Sequence, residues 1–152
     1  MADAAGDVVL ARVTTDVLDL AEHEAAVEHP TSGAVVTFVG RIRDHDPGAQ
    51  GEVTGIDYSH HPDAERILGE LAARAAAAGP EGVRIAISHR VGTLAVGDLA
   101  LVACVATAHR GDAYDTSRAL VEAVKAELPI WKRQHEADGR AVWSRLGLGE
   151  TP

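Results

Sequence analysis

Aromatic residues, cysteine and long apolar runs are all scarce in this sequence, and each shortage excludes a class of protein. Aromatic side chains make up only 3% of the chain, so we predict a core of valine, isoleucine, leucine and alanine. The single cysteine, Cys104, lies in an apolar run, where we expect a small buried side chain and not a nucleophile. No segment approaches the roughly 18 apolar residues of a membrane span, and the N-terminus lacks the basic and apolar regions of a signal peptide. We therefore expect a cytoplasmic protein.

Lysine is also scarce, because only Lys125 and Lys132 occur among the fourteen basic residues. A desolvated ammonium can lose its proton and then act as an acid, a base or a nucleophile, whereas a guanidinium stays charged. Pro129 lies between the two lysines and ends the preceding helix, so both side chains are able to converge on one cavity. The clustering favours a functional pair, with chance placement of so few lysines as the alternative.

The formal net charge of −9 argues against broad binding to nucleic acids or anionic membranes. Any anion site must therefore be a local basic pocket. The segment His109-Arg110 is one candidate, because an apolar strand ends there and a helix begins with free backbone N–H groups. A guanidinium at that point can bind a phosphate through two parallel hydrogen bonds. The alternative is an ion pair of Arg110 with Asp112 or Asp115.

Arg41 and Arg43 form a second candidate for an anion site. They lie one residue apart at the end of a predicted strand, so their side chains share a face and repel each other unless an anion lies between them. A solvated strand end is the alternative. The following Asp44-His45-Asp46 resembles a cluster of metal ligands, but with Pro47 and Gly48 behind it we predict a turn and no metal site.

Hydrophobic periodicity predicts nine elements in the order β-α-β-β-α-β-β-α-β. We expect strands at 8–13, 33–40, 52–60, 83–88, 99–108 and after Pro129, and helices at 16–28, 62–78 and 112–127. Apolar and other residues alternate at 83–88, which predicts a half-buried strand. Because loops join two strand pairs, we predict an α+β domain with a mixed or antiparallel sheet and flanking helices. Its length fits a single domain over 1–152, with short flexible ends at about 1–6 and 147–152.

Five segments occur together in an order and spacing typical of one family, from about residue 8 to about residue 145. They are Gly33 to Arg43, His89 to Leu94, Val96 to Asp98, Ala108 to Arg110, and Lys125 to Arg133. In these segments the chain resembles the catalytic large subunit of molybdopterin synthase. The resemblance implies an α/β hammerhead fold and a homodimer, which binds a small ubiquitin-like sulfur-carrier subunit at each end to give a heterotetramer.

The resemblance also implies an activity and the residues that carry it. Sulfur passes twice from the carrier's C-terminal Gly-Gly thiocarboxylate to cyclic pyranopterin monophosphate, in molybdenum cofactor biosynthesis, with no metal or organic cofactor. Lys125 and Lys132 are the implied catalytic pair. Five further basic residues are implied to bind or flank the substrate: Arg41, Arg43, His109, Arg110 and Arg133.

The bottom-up interpretation of the residues agrees with that chemistry. Both the substrate phosphate and the thiocarboxylate are anions, which positive side chains hold and aim. Formation of a carbon–sulfur bond expels oxygen and needs proton donors, and lysine can donate where arginine cannot. The alternative is a non-catalytic paralogue that binds a ubiquitin-like tail or an anionic metabolite. Retention of both lysines favours the enzyme.

Overall fold

The structure of the protein is a computed structural model that describes residues 6–45, 52–137, 139 and 141–145. The flexible ends expected at about 1–6 and 147–152 lie almost entirely outside these residues, and so does most of the turn expected from Asp44 to Gly48. The elements are β1 (Asp7–Thr14), α1 (Leu20–Ala26), β2 (Ala34–Arg41), β3 (Val53–His60), α2 (Ala64–Ala78), β4 (Arg84–Arg90), β5 (Gly92–Ala95), β6 (Leu99–Thr107), α3 (Arg110–Glu127), β7 (Ile130–Glu136) and β8 (Ala141–Arg145).

The strands form two four-stranded sheets, ordered β1-β4-β6-β2 and β5-β3-β7-β8. In the first sheet β1 pairs with β4 in parallel, and the remaining pairs are antiparallel. The second sheet is antiparallel throughout. The predicted α+β class is therefore confirmed, as are the nine predicted elements in their order. The sequence patterns missed β5, which has only four residues, and β8, which has five.

The first sheet is covered on both faces, so the prediction that strand 83–88 is half-buried is wrong. Ile85 and Ile87 face the main core, which α2, α3 and the second sheet complete. Ala86 faces a smaller core on the other side, where it packs with residues flanking and within α1. Small side chains such as alanine let the α1 segment approach this face of β4 closely. In the sequence these small residues look like exposed positions that alternate with the large apolar ones, so the pattern does not reveal that the second face is also buried.

A buried histidine joins α1 to the first sheet. His23 Nδ1 lies 2.6 Å from the carbonyl oxygen of Asp19, and Nε2 lies 2.7 Å from Ser88 Oγ. A carbonyl oxygen only accepts, so Nδ1 donates to Asp19 and the Ser88 hydroxyl donates to Nε2. This chain of bonds satisfies two fully buried polar side chains, and it explains how Ser88 fits an apolar strand.

The strand directions gather several element ends at one end of the domain. His89 near the end of β4 is opposite Leu101, and Arg41 at the end of β2 is opposite Leu99, both near the start of β6. Helix α3 follows β6 directly and packs back over β6 and β2, so its C-terminus returns to this same end. No helix in the described part of the chain is long and apolar enough to cross a membrane.

Candidate active site

Lys125 lies in the last turn of α3, beside the buried residues Val121 and Val124. The helix stops because Leu128, which precedes Pro129, adopts an extended conformation with φ −69° and ψ 125°. Burial lowers the pKa of Lys125 below its usual value, and the positive charge of Lys132 lowers it further, while Glu122 opposes both effects. The Lys125 ammonium is therefore easier to deprotonate than that of an exposed lysine.

Lys132 approaches from β7, the strand that follows α3. It lies directly opposite Tyr58 of β3, and residues opposite each other across a strand pair share a face of the sheet. Tyr58 and Ile130, which is two residues before Lys132, both belong to the main core. Lys132 therefore projects from the core-facing side of the second sheet, and the two lysines reach one region from the helix end and the next strand.

His89 is a third titratable group in this region. Its side chain is 1% exposed, and its ring packs edge-on against Tyr58 with 5.1 Å between ring centres. Burial lowers the pKa of His89 to about 4, and the nearby positive charge of Lys125 acts in the same direction. The imidazole is therefore neutral at physiological pH. Sequence reasoning noticed His89 only as part of a motif, although its place after Ile85 and Ile87 on one strand face put it at the core.

The two arginines at the end of β2 lie at the lysine end of the domain. Between them Ile42 is buried, and its backbone bonds to Asp98 and Gly97 fix the chain as it leaves the strand. Arg41 is exposed and donates from Nη1 to the Gly97 carbonyl oxygen at 3.2 Å. Arg43 is exposed as well. Both arginines therefore present positive charge to solvent where β2 ends.

Arg133 lies on the opposite face of the second sheet from Lys132, because successive residues of a strand point to opposite sides. Its Nη2 donates to Asp57 Oδ2 at 2.9 Å, and its guanidinium lies over the Trp143 ring, 5.0 Å from the ring centre. The structure thus separates Arg133 from the lysine pair within one chain.

Asp57 is the centre of a polar cluster on that outer face. It also accepts hydrogen bonds from Thr93 Oγ1 at 2.7 Å and His135 Nε2 at 2.8 Å. The Arg133 hydrogen bond is the largest cause that lowers the pKa of Asp57 to about 2. We call Asp57, Thr93, Arg133, His135 and Trp143 the outer cluster. Its members come from all four strands of the second sheet and hold β7 in register. Sequence reasoning missed Asp57, which lies 76 positions from Arg133.

His109 and Arg110 lie at the other end of α3. His109 is the N-cap residue, Arg110 is the first helical residue, and both are exposed. Within the described residues Arg110 forms no ion pair with Asp112 or Asp115. Lys125 follows Arg110 by 15 positions, which at about 1.5 Å per residue separates them by about 22 Å along the helix axis. One chain alone does not bring these two groups together.

No group of three or more histidine, cysteine, aspartate or glutamate side chains suited to a metal ion occurs among the described residues. The site that the chain does form consists of two lysines and a neutral histidine, with two arginines at the same end of the domain. Such an arrangement binds anions and moves protons.

Comparison with known proteins places the chain in a family. The family model described as MoaE protein matches residues 13–127, which is most of the sequence. The chain belongs to the MoaE family. Molybdopterin synthase catalytic subunit 1 of Mycobacterium tuberculosis, a MoaE relative, is 38% identical over 146 residues, with 93% of this chain and 91% of that protein covered. The resemblance seen in the five sequence segments is therefore confirmed, and the MoaE relatives are enzymes.

Solved structures confirm the fold that the MoaE family predicts. Molybdopterin synthase from Staphylococcus aureus superimposes with a TM-score of 0.81 at 27% identity, with 88% of this chain and 96% of that chain covered. The complex of subunits 1 and 2 of molybdopterin-converting factor from Helicobacter pylori gives a TM-score of 0.68 at 20% identity, with 90% of each chain covered. At that identity the second likeness shows the fold alone.

Proposed function

We propose that this MoaE chain is the catalytic subunit of a molybdopterin synthase that transfers sulfur twice to cyclic pyranopterin monophosphate. The sulfur comes from the C-terminal thiocarboxylate of a small sulfur-carrier subunit. The observation that carries the proposal is the pair of lysines, the only two in the chain, which reach one site from α3 and β7. A chain that needed only positive charge there has no use for lysine over arginine.

Lys125 is the proposed proton donor. Each transfer forms a carbon–sulfur bond to the substrate and breaks a substrate carbon–oxygen bond, and the departing oxygen needs a proton. Water then cleaves the acyl carbon–sulfur bond and leaves the carrier as its carboxylate. Because burial and Lys132 lower its pKa, Lys125 gives up a proton more readily than an exposed lysine. Lys132 supplies a second positive group to the same site, and fixed positive charge stabilises an anionic thiocarboxylate as it reacts.

The basic residues around the pair are assigned by their positions. Arg43, flanked by Arg41, is proposed to hold the anionic groups of the substrate, since β2 delivers both to the lysine end of the domain. Arg133 forms an ion pair with Asp57 of β3. We therefore propose that Arg133 contributes to catalysis indirectly, by holding β7, the strand that carries Lys132, in register with β3. Any contact of Arg133 with substrate requires an approach from the outer face of the sheet.

His109 and Arg110 are proposed to serve the site of a second copy of the chain. The support is their distance from Lys125 within one chain and the exposure of both side chains. This assignment requires the homodimer that the family resemblance implies. A carrier subunit bound at each end then gives the heterotetramer, and the Helicobacter pylori structure records a complex of two different subunits of that kind for its own proteins.

The decisive experiment mixes the purified chain with a thiocarboxylated carrier subunit and cyclic pyranopterin monophosphate and measures molybdopterin. We expect two sulfur atoms per product molecule and no product without the chain. Binding of the carrier without any product would instead support the non-catalytic paralogue. The cytoplasmic location is part of the proposal, and immunoblotting of cell fractions tests it.

A further inference from the structure

Strand β2 is an edge strand of the first sheet. Its free side, which we call the β2 edge, has no strand beside it within the described residues. In an antiparallel pair only alternate residues bond to the partner strand, so every second residue of β2 turns its backbone N–H and C=O groups toward the β2 edge. Such open edges pair readily with another chain, and proteins usually protect them with charged side chains, proline, bulges or short strands.

The other edge strands of the two sheets carry these protections, whereas β2 does not. β1 has a bulge after Val8 and carries the charged residues Asp7 and Arg12. β5 and β8 have only four and five residues. β2 has eight residues, with no charge, proline or bulge before its last residue, Arg41. Its Val35 is also 49% exposed. The β2 edge therefore has the composition of a covered strand.

Helix α3 places a stripe of side chains beside the β2 edge. Four residues of the stripe lie within about 60° of one another around the helix axis, because each residue turns the helix by about 100°. They are Arg110, Tyr114, Val121 and Lys125. Glu127, which binds Arg74 of α2, is turned away from this stripe by about 100° or more. Because α2 lies over β1 and α3 lies over β6 and β2, the stripe points toward the β2 edge. Tyr114 on the stripe is 62% exposed.

We propose that two copies of the chain meet at their β2 edges, with the two β2 strands antiparallel about a two-fold axis, so that their four-stranded first sheets join into one. The proposal rests on the proposed function, because it identifies the surface through which the second copy serves the site.

The geometry of the pairing completes that site. A two-fold axis perpendicular to the sheet keeps α3 of both copies on one face and reverses their directions. An eight-residue strand extends over about 26 Å, which is similar to the separation of about 22 Å between Arg110 and Lys125 along α3. The same axis therefore brings Arg110 of one copy to Lys125 of the other. The groups that meet there are positive, which suits an anionic substrate between them.

Charges on the other face of the sheet are complementary in this arrangement. Thr37 Oγ1 lies 3.4 Å from Cys104 Sγ, and Cys104 belongs to the smaller core on the α1 side. Val35 and Arg41 share a strand face with Thr37, so both lie on this side as well. Glu28, which follows α1, lines a surface cavity together with Val35. Antiparallel pairing brings the exposed Arg41 of one copy to this cavity of the other, where Glu28 offers a carboxylate.

Cysteine cross-linking tests the direction of the pairing. Cys104 is buried, so Val35→Cys and Arg41→Cys each add one accessible thiol, and the parental chain is the control. The two variants, co-expressed and treated with a short bis-maleimide, should give covalent dimers, because position 35 of one copy lies close to position 41 of the other. Each variant alone should give few, since identical positions lie about 20 Å apart along the paired strands. Cross-linking of each variant only with itself would indicate parallel pairing and overturn the proposal, as would an absence of cross-links in every sample.

A charge on the β2 edge tests whether this surface holds the dimer together. Val35→Lys places a lysine close to Arg41 of the second copy. Because the like-charge contact occurs twice in a two-fold interface, we expect light scattering to show a dimer dissociation constant about tenfold higher or more. Val17→Lys is the matched control, since Val17 is a 76% exposed valine outside β2 and α3, and the dimer should be unchanged. Thermal unfolding checks that both variants are folded.

The carrier subunit is the other candidate partner for the β2 edge. If Val35→Lys abolished carrier binding and left the dimer intact, the edge would belong to the carrier and the proposal would be overturned. Neither cross-linking nor light scattering needs turnover. A chain that forms the mixed cross-link but makes no molybdopterin would therefore overturn the proposed function and leave the β2 interface in place.

Discussion

Lys125 differs from every arginine of the chain in being able to give up a proton, and burial lowers its pKa. We predict that Lys125→Arg lowers the sulfur-transfer rate by about 100-fold or more, which is the contribution of a positioned general acid. The positive charge stays, so carrier binding should change little. Single-turnover transfer and titration of carrier binding measure the two effects. Turnover near the parental rate would reduce Lys125 to an electrostatic role.

The lowered pKa of Lys125 also predicts that this residue destabilises the fold. Its pKa is lower in the folded chain than in the unfolded chain, so between the two values the unfolded chain binds more protons, and stability rises with pH through that window. Lys125→Met removes the ammonium and should raise the melting temperature at pH 7 by a few degrees. The gain should shrink as the pH approaches 10.5, the usual pKa of a lysine side chain. A melting temperature below that of the parent at pH 7 would contradict the prediction.

At the residue scale the sequence indicated the charged residues better than the buried ones. Lys125 and Lys132 were predicted from their scarcity, and the structure brings them to one site. His89 was missed as a site residue because a histidine in an apolar strand usually belongs to the core, and only the approach of α3 gives it a lysine neighbour. Asp57 was missed because its partners on β5 and β7 become neighbours only when the second sheet forms.

At the scale of elements, the outer cluster fixes the strand that carries Lys132. We predict that Asp57→Asn destabilises the chain by about 1–2 kcal/mol at pH 7, a figure reduced for the partial exposure of Arg133 and His135. The folded pKa of Asp57 is about 2, so its contribution is present above the unfolded value near 4 and is lost as the pH falls through about 2. Sulfur transfer should fall as well, since β7 loses a register contact.

Chemical denaturation at pH 7 and at pH 2 measures this dependence. Asp63→Asn is the matched control, because Asp63 is an exposed carboxylate paired with Arg66 across one helical turn. Exposed pairs of that kind contribute at most about 1 kcal/mol. Equal effects of the two substitutions would show that the outer cluster is only a surface ion pair.

The hydrophobic periodicity of the sequence predicted the long helices and strands correctly. It was less successful for short strands and for the strand that is buried on both faces. Helix α2 was predicted over its full extent because its apolar residues recur every three or four positions. The far face of β4 was missed because Ala86 and Ser88 look like exposed positions until α1 covers them. The turn between β7 and β8 contains Gly139 with φ +90°, but a single glycine in a polar tail is a weak signal for a hairpin.

At the scale of the whole molecule, the proposed site is incomplete in one chain. Lys125 and Arg110 lie at opposite ends of α3, so any joint action on one substrate requires two copies. We therefore predict that light scattering gives about twice the monomer mass for the purified chain, with an increase to a two-plus-two complex when carrier is added. A monomer at micromolar concentration that does not bind carrier would contradict this assembly.

Mixed dimers test whether the two copies share a site. Lys125→Ala and Arg110→Ala chains should each be nearly inactive alone. In a mixed dimer, the lysines of the Arg110→Ala chain meet the intact Arg110 of the other chain, so one of the two sites is complete and about half of the parental activity per dimer should return. Arg118→Ala is the matched control, since Arg118 is an exposed arginine two turns further along α3, and this variant should stay active alone. If the mixed dimers were as inactive as the two parent variants, each active site would have to lie within one chain. Arg110 would then be too far from Lys125 to contact the same reacting group.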